Sequence, residues 1–216
     1  MVHLISRGRG RFSRATDHGL VYTFIPLIVL LSFFLAELTI SPAICTPTDH
    51  SIDHRIPLLP GFIYPYLLGL PMVIFMGVLL LWKDWRCYER YMFFIGIACM
   101  SALIFHLLLP TRHDLRPAVL PGRGLTIRLL RLLYKADSSA NTCPSLHAVG
   151  LCAVCFAAWD SRKLRTPRLL FPIWGLSLLI LLSSIWVKQS SLLDLLAAVL
   201  HSTAAYLVVY RLIYRH

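Results

Sequence analysis

Two short polar runs stand at the mouths of long apolar ones, Asn141-Thr-Cys-Pro-Ser-Leu-His147 and Lys188-Gln-Ser-Ser-Leu-Leu-Asp194. Pro144 and Ser145 suit the start of a helix, so Ser145 and the free backbone N–H groups of the first turn point outward, where the helix dipole favours an anion. His147 follows within that turn, and an imidazole there can give or take a proton near neutral pH. In the second run Ser190 and Asp194 are four apart, the spacing of one helix face, and Lys188 lies at the outer edge. Arg116 precedes Pro117, which biases it toward an extended backbone that holds its guanidinium off the nearest helix end. Cations, hydroxyls, N–H donors and a histidine are the parts that phosphoryl chemistry needs, because the charge on the transferred group must be spread over fixed donors.

The elements that must position these residues follow from composition. The 216 residues are 57% hydrophobic and 14% charged, with a mean hydropathy of +0.70, which is too apolar for a soluble domain of this length. Apolar runs recur at residues 20–40, 62–82, 92–109, 144–159, 169–187 and 192–210, close to the ~20 residues that cross a bilayer core. They lack period-two alternation, and a strand in lipid would need a closed barrel. The expected fold is all-α, a polytopic six-transmembrane-helix bundle forming one membrane domain over residues 1–216. The first run is read as an anchor, since no small-residue cleavage site follows it. No span is expected to break near its midplane, which sets a transporter reading aside.

The net charge is +11, a balance that first raises nucleic acid as a partner. Its distribution points elsewhere. Arg7, Arg9, Arg11 and Arg14 precede the first span; Lys83, Arg86 and Arg90 fill the second connection; Arg162, Lys163, Arg165 and Arg168 fill the fourth; Arg211 and Arg215 follow the last. Clusters on alternate connections are what the positive-inside rule describes, so both termini are expected in the cytoplasm and no nucleic acid partner is expected. The connection 110–143 should then face outward, yet it carries Arg112, Arg116, Arg123, Arg128, Arg131 and Lys135. Two readings of that charge stand: a phosphate-binding surface, or headgroup anchoring by an interfacial helix over 125–134 with Leu125, Leu129, Leu130 and Leu133 on its apolar face.

Other polar residues receive plainer readings. The connection 41–61, with Asp49 and Asp53, is expected to be a solvated loop. Glu37 and His106 fall near the outer ends of spans and are read as structural, reaching for the interface. Cys45 and Cys143 both lie near the outer face, where a disulfide is one option, while Cys152 and Cys155 read as small buried residues. No group of carboxylates and histidines has metal-ligand spacing, so neither a metal nor another cofactor is expected.

On these residues the chain resembles the type 2 phosphatidic acid phosphatase and vanadium haloperoxidase superfamily, in particular its membrane lipid-phosphatase branch, which includes inositol phosphoceramide synthase-like proteins. The resemblance covers residues 108–198, a phosphatase-like core. Arg116-Pro117 matches the end of the family's Lys-x6-Arg-Pro motif, with Leu109, six intervening residues before Arg116, where the lysine would be expected. Pro144-Ser145-Leu146-His147 matches Pro-Ser-x-His in full. In Ser-Arg-x5-His-x3-Asp, Ser183 and Asp194 match, Ser184 replaces the arginine and Ser190 replaces the histidine. The branch ending this motif in Lys-Gln-His lacks the arginine too and has a lysine where Lys188 stands.

The resemblance implies that the residue at 190 attacks phosphorus, that Asp194 orients it, that His147 protonates the leaving oxygen, and that Arg116, Ser145 and Lys188 hold phosphate oxygens. The implied activity is a phosphatase or phosphotransferase for a membrane lipid phosphomonoester or diphosphate at the outer face. Phosphatidic acid, phosphatidylglycerol phosphate and undecaprenyl diphosphate are candidate substrates. A serine hydroxyl needs a base that an imidazole does not, so Ser190 implies impaired turnover or a different attacking group. The alternative is a pseudoenzyme that binds a lipid phosphate headgroup. The sequence carries no signal for an oligomeric state.

Overall fold

The computed structural model describes residues 44–214 apart from Pro121, Ser138 and Asn141, together with Phe24, Pro26, Leu27, Ile28, Leu31 and Ser32, which are helical. Beyond those six positions, the first expected span with Glu37, the arginines at 7, 9, 11 and 14, and Arg215 lie outside the described residues.

The chain is built from helices. A short β1 (Thr46–Pro47) and α1 (Ser51–Arg55) lead through a 3-10 turn (Pro60–Phe62) into α2 (Ile63–Leu67) and α3 (Gly69–Lys83). Then come α4 (Trp85–Leu108), β2 (Thr111–Arg112), α5 (Leu125–Ala136), α6 (Leu146–Asp160), α7 (Pro167–Trp186) and α8 (Leu192–Tyr206), which runs on into a π-helical stretch over Leu207–Ile213. Four segments among the described residues are long and apolar enough to cross a membrane: Pro60–Lys83, Trp85–Leu108, Pro167–Trp186 and Leu192–Ile213. They match the second, third, fifth and sixth expected spans and are compatible with an integral membrane protein.

The fourth expected span, 144–159, is the shorter helix α6, whose 15 residues start at Leu146. Ser145 stays extended as its N-cap, with φ −63° and ψ 114°, and its N–H is tied to the Asp194 carbonyl at 3.3 Å. Helix α6 packs against α3, α4, α7 and α8. Its buried face is made largely of Ala148, Ala153, Ala157 and Ala158, small residues that let neighbouring helices approach closely.

Pro60–Lys83 is not one uninterrupted helix. The α2–α3 junction at Leu68 is a turn closed by Leu68 N–H to the Pro65 carbonyl at 3.1 Å. Pro71 explains it, since it has no N–H to offer the carbonyl of Leu67 four residues back. The hitch lies nearer the Pro60 end, and it places Gly69 against α6.

The bundle has two unlike ends. One gathers residues 83–86, 160–166 and the last turns after α8, where the Lys83, Arg86, Arg162, Lys163 and Arg165 charges lie. The other gathers the connections 44–62, 109–145 and 187–191. There β1 and β2 pair in parallel, with Thr46 opposite Thr111 and Pro47 opposite Arg112, and Arg112 bridges to Ala140. Thr111 Oγ1 accepts from Cys143 N–H at 3.0 Å. Cys45 and Cys143 are both thiols, not a disulfide.

The expected interfacial helix is present as α5. It docks through Leu130, which is wholly buried, with Ile127, Leu129 and Leu133 beside it against Ile63, Leu120 and Val187. Leu125 departs from the expected apolar face and is 64% exposed, because Ile127 takes its place on the docked side.

Candidate functional site

Helix α8 begins at Leu192, where the sixth apolar run begins and two residues after Ser190. Ser191 is its N-cap, accepting from Asp194 N–H at 3.1 Å, and the Asp194 carboxylate turns back to accept from Ser191 N–H at 2.8 Å. This capping box satisfies two donors at the helix start. Ser190 therefore precedes the helix, and the expected shared face with Asp194 does not form. Its hydroxyl lies instead 3.2 Å from Ser145 Oγ. The second Asp194 oxygen accepts from Thr142 Oγ1 at 3.4 Å, so both carboxylate oxygens are engaged away from Ser190.

Lys188 closes the end of α7. Lys188 N–H bonds to the Ile185 carbonyl at 3.1 Å and Gln189 N–H to the Ser184 carbonyl at 2.9 Å, the paired bonds of a Schellman ending. That ending requires a left-handed residue, which is usually glycine, and Lys188 occupies it with φ 56°. A side chain in that region costs roughly 1–2 kcal/mol. Its ammonium donates to the Asp53 carbonyl oxygen at 2.7 Å; burial holds it below the ordinary lysine value, with the Asp53 charge opposing.

Asp53 corrects the expectation of a solvated loop. It is 2% exposed, and its carboxylate accepts from Leu192 N–H at 2.9 Å and from His50 N–H at 2.9 Å. One loop carboxylate thus caps α1 and supplements the cap of α8. The signal in the sequence was its place in His50-Ser-Ile-Asp53, where a residue three after a cap can reach back.

Arg116 approaches the same turn from the other side. Its guanidinium stacks over the Tyr134 ring at 4.9 Å, donates to the Asp137 carbonyl at 2.6 Å and lies 3.8 Å from the Asp137 carboxylate. It also donates to Gln189 Oε1. Tyr134 donates to the Val187 carbonyl at 2.8 Å, and burial pushes its hydroxyl up to about 12 even though Arg116 pulls the other way. His113, wholly buried, places Nε2 3.1 Å from the Gln189 carbonyl. That contact makes Nε2 the protonated nitrogen. Burial first, then Arg116, holds the imidazole below its ordinary value, against the pull of the Gln189 carbonyl and of Asp194 and Asp49. Neither Gln189 nor His113 was given a chemical role from sequence, since a lone amide or histidine in a loop shows no spacing.

His147 lies in the first turn of α6, stacked on Tyr66 at 4.5 Å and 13°. Gly69 makes the space: a Cβ there would stand 2.1 Å from His147 Cε1. His147 Nε2 is buried without a hydrogen-bond partner among the described residues. The Gln189 amide nitrogen and His113 Nδ1 are in the same condition. The Gln189 N–H2 is a donor, whereas His113, protonated at Nε2, leaves Nδ1 an acceptor; a buried donor or acceptor left unpaired costs about 1–3 kcal/mol. His106, expected to reach for the interface, is instead fully buried within the bundle, because its face of α4 meets Cys143 and Pro144 ahead of α6.

Of the expected site residues, Ser145 meets Ser190 through its hydroxyl and the Asp194 carbonyl through its N–H, and Arg116 reaches the same turn through Gln189. Lys188 is a chain neighbour whose ammonium is turned to Asp53, and the described contacts of His147 are with Tyr66 and Gly69. The arrangement offers hydroxyls, an amide N–H2 and a guanidinium to an oxyanion, with an imidazole two residues from Ser145. Comparison with protein-family models, curated proteins and solved structures finds no match.

Proposed function

We propose that this chain is a membrane lipid phosphate phosphatase or phosphotransferase, related to the type 2 phosphatidic acid phosphatases, acting on a phosphomonoester or diphosphate lipid. The observation that carries the reading is the 3.2 Å contact between Ser145 Oγ and Ser190 Oγ. It joins the Pro-Ser-x-His run to the residue at the nucleophile position of the third motif, 45 residues along the chain. Gathering of basic residues at the opposite end supports the cytoplasmic placing of that end and an outward-facing site.

In this reading phosphate is held by Ser145, the Arg116 side and, after release from Asp53, Lys188. The attacking oxygen comes from water or Ser190 and forms the new bond to phosphorus as the bond to the lipid oxygen breaks, the attacker's proton passing to a non-bridging phosphate oxygen; a phosphoserine formed at Ser190 is then split by water. His147 gives that leaving oxygen its proton. Asp194 serves by fixing the start of α8 and, through its carbonyl, the Ser145 N–H.

One observation favours a second reading, a pseudoenzyme that binds the headgroup without turnover. Both Asp194 oxygens are engaged by Ser191 and Thr142, which leaves Ser190 without a carboxylate to assist it.

Phosphate release from phosphatidic acid, phosphatidylglycerol phosphate and undecaprenyl diphosphate separates these readings, using purified protein in detergent without divalent metal. Release that disappears in His147→Ala supports the enzyme. No release from the natural protein, with release gained in Ser190→His, supports the pseudoenzyme, and no release from either sinks the lipid phosphatase frame.

A further inference from the structure

Gln189 is held at both of its acceptors by the connection that follows α4. Its backbone carbonyl meets His113 Nε2 at 3.1 Å, and its side-chain carbonyl accepts from Arg116. The residue is 6% exposed, and its amide nitrogen has no acceptor among the described residues. The Arg116 contact fixes which way the amide faces. A guanidinium only donates, so Oε1 must face it and the N–H2 must face away.

This is an expensive arrangement to maintain without a use, because buried polar groups are almost always paired. The next residue is Ser190, whose hydroxyl shares one proton with Ser145 across 3.2 Å. One hydroxyl proton of that pair remains to be donated. The turn therefore presents an amide N–H2 and an O–H in sequence, with a guanidinium behind the amide. Donors of this kind suit a group with several oxygens and excess lone pairs, and they do not suit a cation.

We propose that Gln189 is a phosphate ligand, its Nε2 donating to a non-bridging oxygen of a phosphomonoester or of inorganic phosphate held between Arg116 and the Ser145–Ser190 pair. Arg116 acts on that oxygen through Gln189, as a positioning residue. The assignment rests on the lipid phosphate reading above and names a residue within it.

The test is calorimetric titration of the purified full chain in detergent with inorganic phosphate and with dioctanoyl phosphatidic acid, each against Gln189→Leu and Gln189→Glu. Glutamate keeps the Arg116 contact, so it holds the turn together while repelling an anion; thermal unfolding of each variant monitors the fold. The expected result is binding by the natural protein, weakened about tenfold or more in Gln189→Leu and further in Gln189→Glu. Binding of the lipid alone with the same losses supports the proposal and makes the headgroup the source of the phosphate. Natural affinity in both variants overturns the role of Gln189 and leaves the lipid phosphate reading standing. No binding of either probe by the natural protein overturns both.

Discussion

The two ends of the bundle are made from similar residues and solve different problems. At the basic end the half-buried carboxylates meet donors: Asp84 caps α4 by accepting from Cys87 N–H at 3.3 Å and from Ser161 Oγ at 2.8 Å, while Arg90 pairs with Asp160 at 3.0 Å. Arg165 lies over Trp159 at 4.1 Å. Among the described residues, what stays unpaired there is one Asp160 oxygen and the Tyr210 hydroxyl. At the other end the unpaired atoms among the described residues include the N–H2 donor of Gln189, Nε2 of His147 and the acceptor Nδ1 of His113. An end whose task is to stop helices can close its polar groups on each other; an end with a surplus buried N–H2 is prepared for something that brings oxygen.

The contrast breaks most sharply if mutations at the two ends behave alike. His147→Ala should lower lipid phosphate release about 10²–10⁴-fold with little change in unfolding temperature. Arg90→Ala should do the reverse, costing about 1–3 kcal/mol by leaving Asp160 half-buried and unpaired, with release per folded molecule unchanged; release assays and thermal unfolding of both variants read this directly.

Gly69→Ala comes next. The added methyl would meet His147 Cε1 at 2.1 Å, so the imidazole must leave Tyr66 and release should drop at least about tenfold, within the span of a lost general acid. Gly175→Ala is the control, since nothing lies within 4 Å of a Cβ there, and it should match the natural protein in the same assay.

Asp53→Ala removes the acceptor for Leu192 N–H and His50 N–H and should cost about 1–2 kcal/mol in denaturant unfolding, the scale of a lost helix cap. His113 gives the pH dependence. Its folded value is depressed, so below the ordinary 6.5 the unfolded chain binds the extra proton, and stability, complete above 6.5, falls as the pH drops toward the folded value. His113→Asn should flatten that acid slope, which is at most about 1.4 kcal/mol per pH unit for one group; an unchanged slope removes His113 from the account. The smallest effect is at Lys188→Gly, which should stabilise by about 1 kcal/mol by relieving the positive φ while reducing release. A variant that gains stability without losing release would show that the strain serves only the turn.

The features legible in the sequence were those with a period or a fixed offset. Four membrane-length helices follow from apolar runs, α5 from its leucine spacing, and the placing of the two polar runs at one end of the bundle from the alternation of spans and connections. Start points were harder. Ser190 and Asp194 share a face only if α8 begins before Ser190, and Ser191 makes a better cap. Burial of a loop carboxylate was not legible, since the partner of Asp53 is Leu192 N–H, 139 residues away. Gln189 and His113 were missed for the same reason: each is an ordinary loop residue until the 110–117 and 187–191 connections are brought together. Pro71 did carry a signal, a proline inside an apolar run, and the α2–α3 turn is what it marked.

The central helix has 15 residues where its neighbour α4 has 24, about 22 Å against about 36 Å at 1.5 Å per residue. Asp160 at one end of α6 pairs with Arg90, beyond the first turn of α4, and Cys143 and Pro144 at the other meet His106 before α4 ends. By these contacts α4 overruns α6 by five residues at the basic end, 85–89, and by only two at the other, 107–108, so Ser145 and His147 stand close to the level at which α4 ends and a group arriving there has no long descent into the bundle.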